Sequence, residues 1–151
     1  MAPGTQPVYD NVMQDSPIVR LCVEGMEMEG KGQVGEAAQR FAAAWNSSSN
    51  DFERCIAAHY VARHQKSPVE TLRWNQESLR YADASDSASV REFYPSLYLN
   101  LGKSYEDLGK RDEARKFYEL AARSAAVLPA NGYGALVRSG IASGLQRVGH
   151  S

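Results

Sequence analysis

The sequence predicts an all-α fold of antiparallel helix pairs, repeated about three times and closed by a C-terminal capping helix. Three observations predict it. Apolar residues recur at three- and four-residue spacing through most of the chain, bounded by helix-start and helix-stop residues. Alanine is abundant and β-branched residues are sparse, a composition that favours helix. Small and aromatic residues also return at corresponding places in successive segments, most regularly in residues 97–121, which read as two amphipathic helices joined at Gly109.

The totals bound the function classes. A chain of 151 residues, 43% apolar and 23% charged, is expected to form one domain with its own core. A formal net charge of -1 gives no bulk attraction for nucleic acid or an anionic membrane surface, so neither is expected as a partner. No apolar run approaches the roughly 18 residues of a membrane span. Residues 1–15 have neither a basic start nor an apolar centre, which argues against an export signal. Cys22 and Cys55 fall in helix-like segments and are expected to be reduced thiols acting as small apolar residues. The location expected on these grounds is cytoplasmic.

Residues 1–15 mix Pro, Gly, Gln, Asn and Asp without period and read as a disordered leader. The repeat domain is expected over 16–148. Ser16-Pro17 starts the first helix, with Ser as N-cap and Pro at the first helical position, where its missing N–H has no partner to lose. Ile18, Leu21, Cys22, Gly25 and Met28 keep helical spacing, and Gly30 and Gly32 end it. A second helix over 34–45 carries Ala37, Ala38, Phe41, Ala44 and Trp45 on one face. Asn50 followed by Glu53 resembles a capping box for a third helix running to about His64. Ser67-Pro68-Val69-Glu70 is a stronger start, for a fourth helix to about Ala82. Val90, Phe93, Tyr94 and Leu97 keep a helical period across Pro95, which either kinks a fifth helix beginning near Ser87 or sits in its first turn; the continuous period favours the kink. That helix ends at Gly109. A sixth spans about 112–128 and stops at Pro129, and residues 130–134 read as a loop. A last helix over 135–148 places Leu136, Val137, Ile141, Leu145 and Val148 along one side.

The segments superpose. Gly25, His59 and Gly102 occupy one position, Gly32, Lys66 and Gly109 the turn, and Ala37, Thr71 and Ala114 an early place in the second helices. Phe41, Asn75 and Tyr118 follow, then Ala44, Ser78 and Ala121. Gly25 and His59 are 34 residues apart, whereas His59 and Gly102 are 43 apart, which puts about nine extra residues before the third unit. A 34-residue helix-turn-helix unit with this order of small and aromatic residues resembles the tetratricopeptide repeat. The third unit matches best, the first well, and the second poorly, with His59 where a small residue is usual and Thr71 where Ala is usual. The units implied are about 17–49, 50–83 and 88–128, with a cap at 135–148. The aromatic stripe reads as core between stacked helices.

The resemblance implies a protein-interaction scaffold whose first helices line a concave groove. By the family's helix phase that groove would present Val19, Cys22, Met26 and Glu29, then Ile56, Tyr60, Arg63 and His64, then Leu99, Asn100, Lys103, Glu106 and Asp107. Tyr60, Arg63, His64, Asn100 and Lys103 are the candidate binding residues for a peptide or protein segment. They offer donors, a stacking surface and cations suited to a peptide carboxylate, an acidic side chain or an aromatic group. The competing reading makes Arg63 and His64 a solvated helix end near its negative pole. His59 is expected to support the site from behind, bonded to Trp74 or Asn75 on the partner helix. Family members that clamp a chaperone's terminal Asp use Lys and Asn on the first helices. Here Cys22, Met26 and Ile56 hold the matching positions and only Asn100 and Lys103 are of the right type, which argues against that role.

No catalytic residue, metal or cofactor is expected. His59 and His64 are five apart, and neither a His-Glu-x-x-His nor a Cys-x-x-Cys spacing occurs. No strand leads into a Gly-rich phosphate loop; Gly132-Tyr133-Gly134 lies between helices. Self-association through the terminal repeat faces, giving a structural homo-oligomer, is the alternative to peptide binding.

Overall fold

Four of the helix starts are built by the side chain that precedes them. Ser16 Oγ accepts from Ile18 N at 3.2 Å, Asn50 Oδ1 from Glu53 N at 2.8 Å, Ser67 Oγ from Glu70 N at 3.2 Å, and Asn131 Oδ1 from Gly134 N at 3.0 Å. In the computed structural model, which describes residues 16–149, these caps open α1 (Pro17–Gly30), α3 (Asp51–Val61), α4 (Pro68–Ala84) and α7 (Gly132–Val148). The remaining helices are α2 (Val34–Ser47), α5 (Tyr94–Asp107) and α6 (Arg111–Ser124). There is no strand among the described residues, and the fold is all-α, as the sequence predicts. The leader expected at 1–15 lies outside the described residues.

The turns of the first and third pairs share one geometry. Gly32 N donates to Glu29 O and Gln33 N to Met28 O; Gly109 N donates to Glu106 O and Lys110 N to Tyr105 O. Both glycines have positive φ, 78° and 75°, the left-handed conformation that closes a Schellman turn and that a side chain disfavours. Lys66 has no such freedom, and α3 ends differently. It tightens into a 3₁₀ turn at Ala62–His64, and Gln65 Nε2 donates back to Val61 O at 2.7 Å.

Helices pack chiefly on their chain neighbours, most closely as α1 with α2, α3 with α4, and α5 with α6. α1 also reaches α3, and α5 reaches α7. Close approach within the outer pairs follows from glycine. A Cβ on Gly25 would lie 2.3 Å from the Phe41 ring, and one on Gly102 2.7 Å from the Tyr118 ring. The apolar core forms two clusters. One runs from Ile18 through Phe41, Ile56 and Phe93 to Leu97; the other surrounds Tyr118 with Val137, Ile141 and Leu145.

Three expectations need correction. Pro95 does not kink a long helix. Residues Ala88–Phe93 form a separate 3₁₀ segment, and Pro95 sits in the first turn of α5, where a missing N–H costs nothing. The apparent helical period across it arises because Val90, Phe93 and Leu97 are all buried from two consecutive segments. The last helix starts at Gly132 rather than Ala135, because the Asn131 cap lies upstream of the apolar run. Its buried side is Tyr133, Val137, Ile141, Leu145 and Val148, a stripe at four- and then three-residue spacing that leaves Leu136 59% exposed.

Candidate binding groove

The α3 cluster divides into a buried half and an accessible half. Val19, Cys22, Ile56 and Tyr60, expected on the groove wall, are no more than 2% exposed. They belong to the first core cluster, where α1 packs against α3 and Phe41 reaches in from α2. Tyr60 stacks on Phe41 with ring centroids 5.3 Å apart. His64 stacks on the same ring at 5.9 Å, and its Nε2 lies 2.5 Å from Glu29 Oε2. Burial also pushes the Cys22 and Cys55 thiols up to about 12, so they are protonated and inert, as small apolar residues would be.

Arg63, Asn100 and Lys103 come together on the accessible side. They line a depression of about 330 Å³ between α3, α4 and α5, shared with His59, Thr71, Asn75, Ser104 and Asp107. Arg63 Nε holds Glu29 Oε2 at 3.0 Å, and its guanidinium lies 5.8 Å from the Tyr60 ring centre. Lys103 Nζ holds Asp107 Oδ1 at 2.7 Å, one turn along α5. Tyr60 and His64 thus stand behind Arg63, through the ring beneath it and the shared Glu29 carboxylate.

His59 takes its partner from α5, not from α4. Its Nδ1 lies 3.3 Å from Asn100 Nδ2. Trp74 instead meets Trp45 edge to face at 5.0 Å, and Asn75 Nδ2 donates to Ser104 Oγ at 2.9 Å. Burial, and then the charge of Arg63, pushes the His59 pKa down to about 4, so the ring is neutral near pH 7. A neutral His59 accepts at Nδ1 from the Asn100 amide. The floor of the depression is therefore polar yet buried: His59, Asn75 and Ser104 are each no more than 9% exposed.

Asn75, Thr71 and Ser104 are lining residues that sequence reasoning did not select. The signal for two of them lay in the repeat register, since Asn75 stands where the other units carry Phe41 and Tyr118, and Thr71 where they carry Ala37 and Ala114. Among the described residues, no three His, Cys, Asp or Glu side chains converge as a metal site, and no helix is long and apolar enough to cross a membrane.

Comparison with known families adds one finding. The tetratricopeptide repeat model matches residues 95–126, which cover most of α5, all of α6 and the start of the turn after it. Over those residues the chain is similar to a single tetratricopeptide repeat. Searches of curated proteins and of solved structures each gave no match. Tetratricopeptide repeats are in general protein-interaction modules.

Proposed function

We propose that this chain is a protein-interaction module that holds a peptide or protein segment against the groove formed by Arg63, Asn100 and Lys103. Tyr60 and His64 position Arg63, and His59 orients Asn100. The module comprises units at about 17–49, 50–83 and 88–128, capped by α7 (Gly132–Val148). The observation that carries the reading is the depression itself, in which three accessible polar side chains, Arg63 from the 3₁₀ turn after α3 and Asn100 and Lys103 from α5, surround a buried polar floor. An extended segment lying across α3 and α5 would meet donors from both.

The test is a pull-down from the native host with Arg63→Glu combined with Lys103→Glu. Both side chains are about half exposed, so the fold should survive the change. Partner recovery is expected to fall by about tenfold or more, the effect of losing roughly 1.4 kcal/mol of binding. Unchanged recovery, with native helicity by circular dichroism, would overturn the groove assignment.

A further inference from the structure

The middle unit breaks the turn rule that the units on either side keep. Gly32 and Gly109 close their turns with positive φ, whereas Lys66 stands at the corresponding place. The chain there passes through Gln65 in an extended conformation, φ -102° and ψ 158°, before Ser67 caps α4. A depression of about 230 Å³ lies at this turn, against the last turn of α5. It shares Thr71, Ser104 and Asp107 with the groove described above, so the two form one continuous trough.

The other polar side chains lining this end already have partners. Gln65 Nε2 donates to Val61 O at 2.7 Å, and Thr71 Oγ1 to Ser67 O at 3.2 Å. Ser67 Oγ accepts from Glu70 N at 3.2 Å, and Ser104 Oγ from Asn75 Nδ2 at 2.9 Å. Asp107 Oδ1 is held by Lys103 Nζ at 2.7 Å, and Arg63, farther along the trough, by Glu29. Lys66 is the exception. It is exposed, and among the described residues its side chain makes no hydrogen bond or ion pair, not even with Glu70 one turn into α4. Its ammonium is carried on a flexible four-carbon stem at the mouth of the depression that the residue lines.

We propose that the turn end of the trough is an anion subsite, where Lys66 receives the carboxylate of an Asp or Glu side chain on the segment the groove holds. This inference rests on the groove reading above. A carboxylate brought to Arg63 or Lys103 must compete with one already in place and is repelled by it. At Lys66 it gains an ion pair and displaces none. The far end of α3 and α4 offers no alternative: a depression of about 440 Å³ there is lined by Asp51, Glu53 and Asp86 and by no Lys or Arg, and it repels an acidic segment. The whole chain has a formal net charge of -1, so the attraction belongs to the trough and not to the chain at large.

The test uses the full chain, labelled with ¹⁵N, and follows the backbone amides of Lys66 and Ser67. The pentapeptide acetyl-Gly-Ser-Glu-Ser-Gly-amide is the probe, and its isosteric control carries Gln in place of Glu. Saturable shifts at both residues are expected with the glutamate peptide, with binding about threefold weaker for the glutamine peptide, the size of one exposed ion pair. Raising the salt concentration should narrow that difference. Lys66→Met keeps the bulk without the charge and should bind the two peptides alike, and Lys66→Glu should reverse their order. Equal binding of the two peptides to wild type, a preference that survives in Lys66→Met, or no shift at Lys66 and Ser67 would each overturn the subsite. If the subsite fails while Arg63→Glu with Lys103→Glu still loses the partner, the groove stands without it. Unchanged recovery in that double variant removes the groove, and the subsite with it.

Discussion

At the residue scale, His59 shows how one substitution in a repeat changes both chemistry and stability. Its pKa lies at about 4, below the ordinary 6.5, because burial and the Arg63 charge oppose protonation. The unfolded chain takes up that proton near pH 6.5, whereas the folded chain holds it off until about pH 4. The resulting stability is complete above 6.5 and is lost as pH falls toward 4, by at most about 3 kcal/mol. His59→Gln should lessen this fall, read as the difference in urea midpoint between pH 7.5 and 4.5. An equal fall in wild type and variant would contradict it. Cys22 and Cys55 stand at the other extreme. Both were legible as apolar residues, and their buried, protonated thiols agree with that reading. Asn75 was legible in the register and as a candidate partner of His59. Its actual partner, Ser104, depends on α5 packing across α4.

At the scale of the element, local chemistry was readable wherever one short stretch decided the outcome. Ser16, Asn50 and Ser67 cap as expected, with one variation. Glu53 turns back to Ser49 N at 2.9 Å rather than to Asn50 N, so the capping box is displaced by one residue. Reading failed where two segments contribute to one face. The period across Pro95 joined a 3₁₀ segment to a helix, and the last helix was given a stripe one residue too wide at Leu136. Glycines divide by what surrounds them. Gly109→Ala should cost about 1–2 kcal/mol, since φ is +75°. Gly35→Ala should add a few tenths of a kcal/mol, up to about 1, because an added methyl meets nothing within 4 Å in α2. Thermal denaturation of the two variants should shift in opposite directions; a common direction would show that backbone conformation does not set these terms.

At the scale of the molecule, the fold class was legible because stacked helix pairs repeat their packing rule. Gly25 with Phe41 and Gly102 with Tyr118 apply it twice, and Gly144 extends it to α7, where a Cβ would lie 2.5 Å from Tyr118. A clasp completes that end: Tyr118 Oη donates to Glu106 Oε1 at 2.6 Å, and Arg147 Nε donates to Glu106 Oε2 at 2.7 Å. The hydrogen bond from Arg147 is the main cause that holds the Glu106 carboxyl below its ordinary range. The candidate groove was only partly legible. Residue type and family phase picked out Arg63, Asn100 and Lys103 as candidates, but could not separate them from Tyr60, which the approach of α1 to α3 buries. The accessible residues lie where the middle unit departs from the rule kept on either side.

The most direct test of that account is site-specific photo-crosslinking in the native host, with a photoreactive residue at position 100 or at position 123. Arg123 is exposed in the last turn of α6, at the end away from the groove. The account expects a protein crosslinked from position 100 and not from 123, with the adduct lost in the Arg63→Glu, Lys103→Glu background. Equal yields from both positions, or an adduct at 100 that survives those two changes, would contradict it.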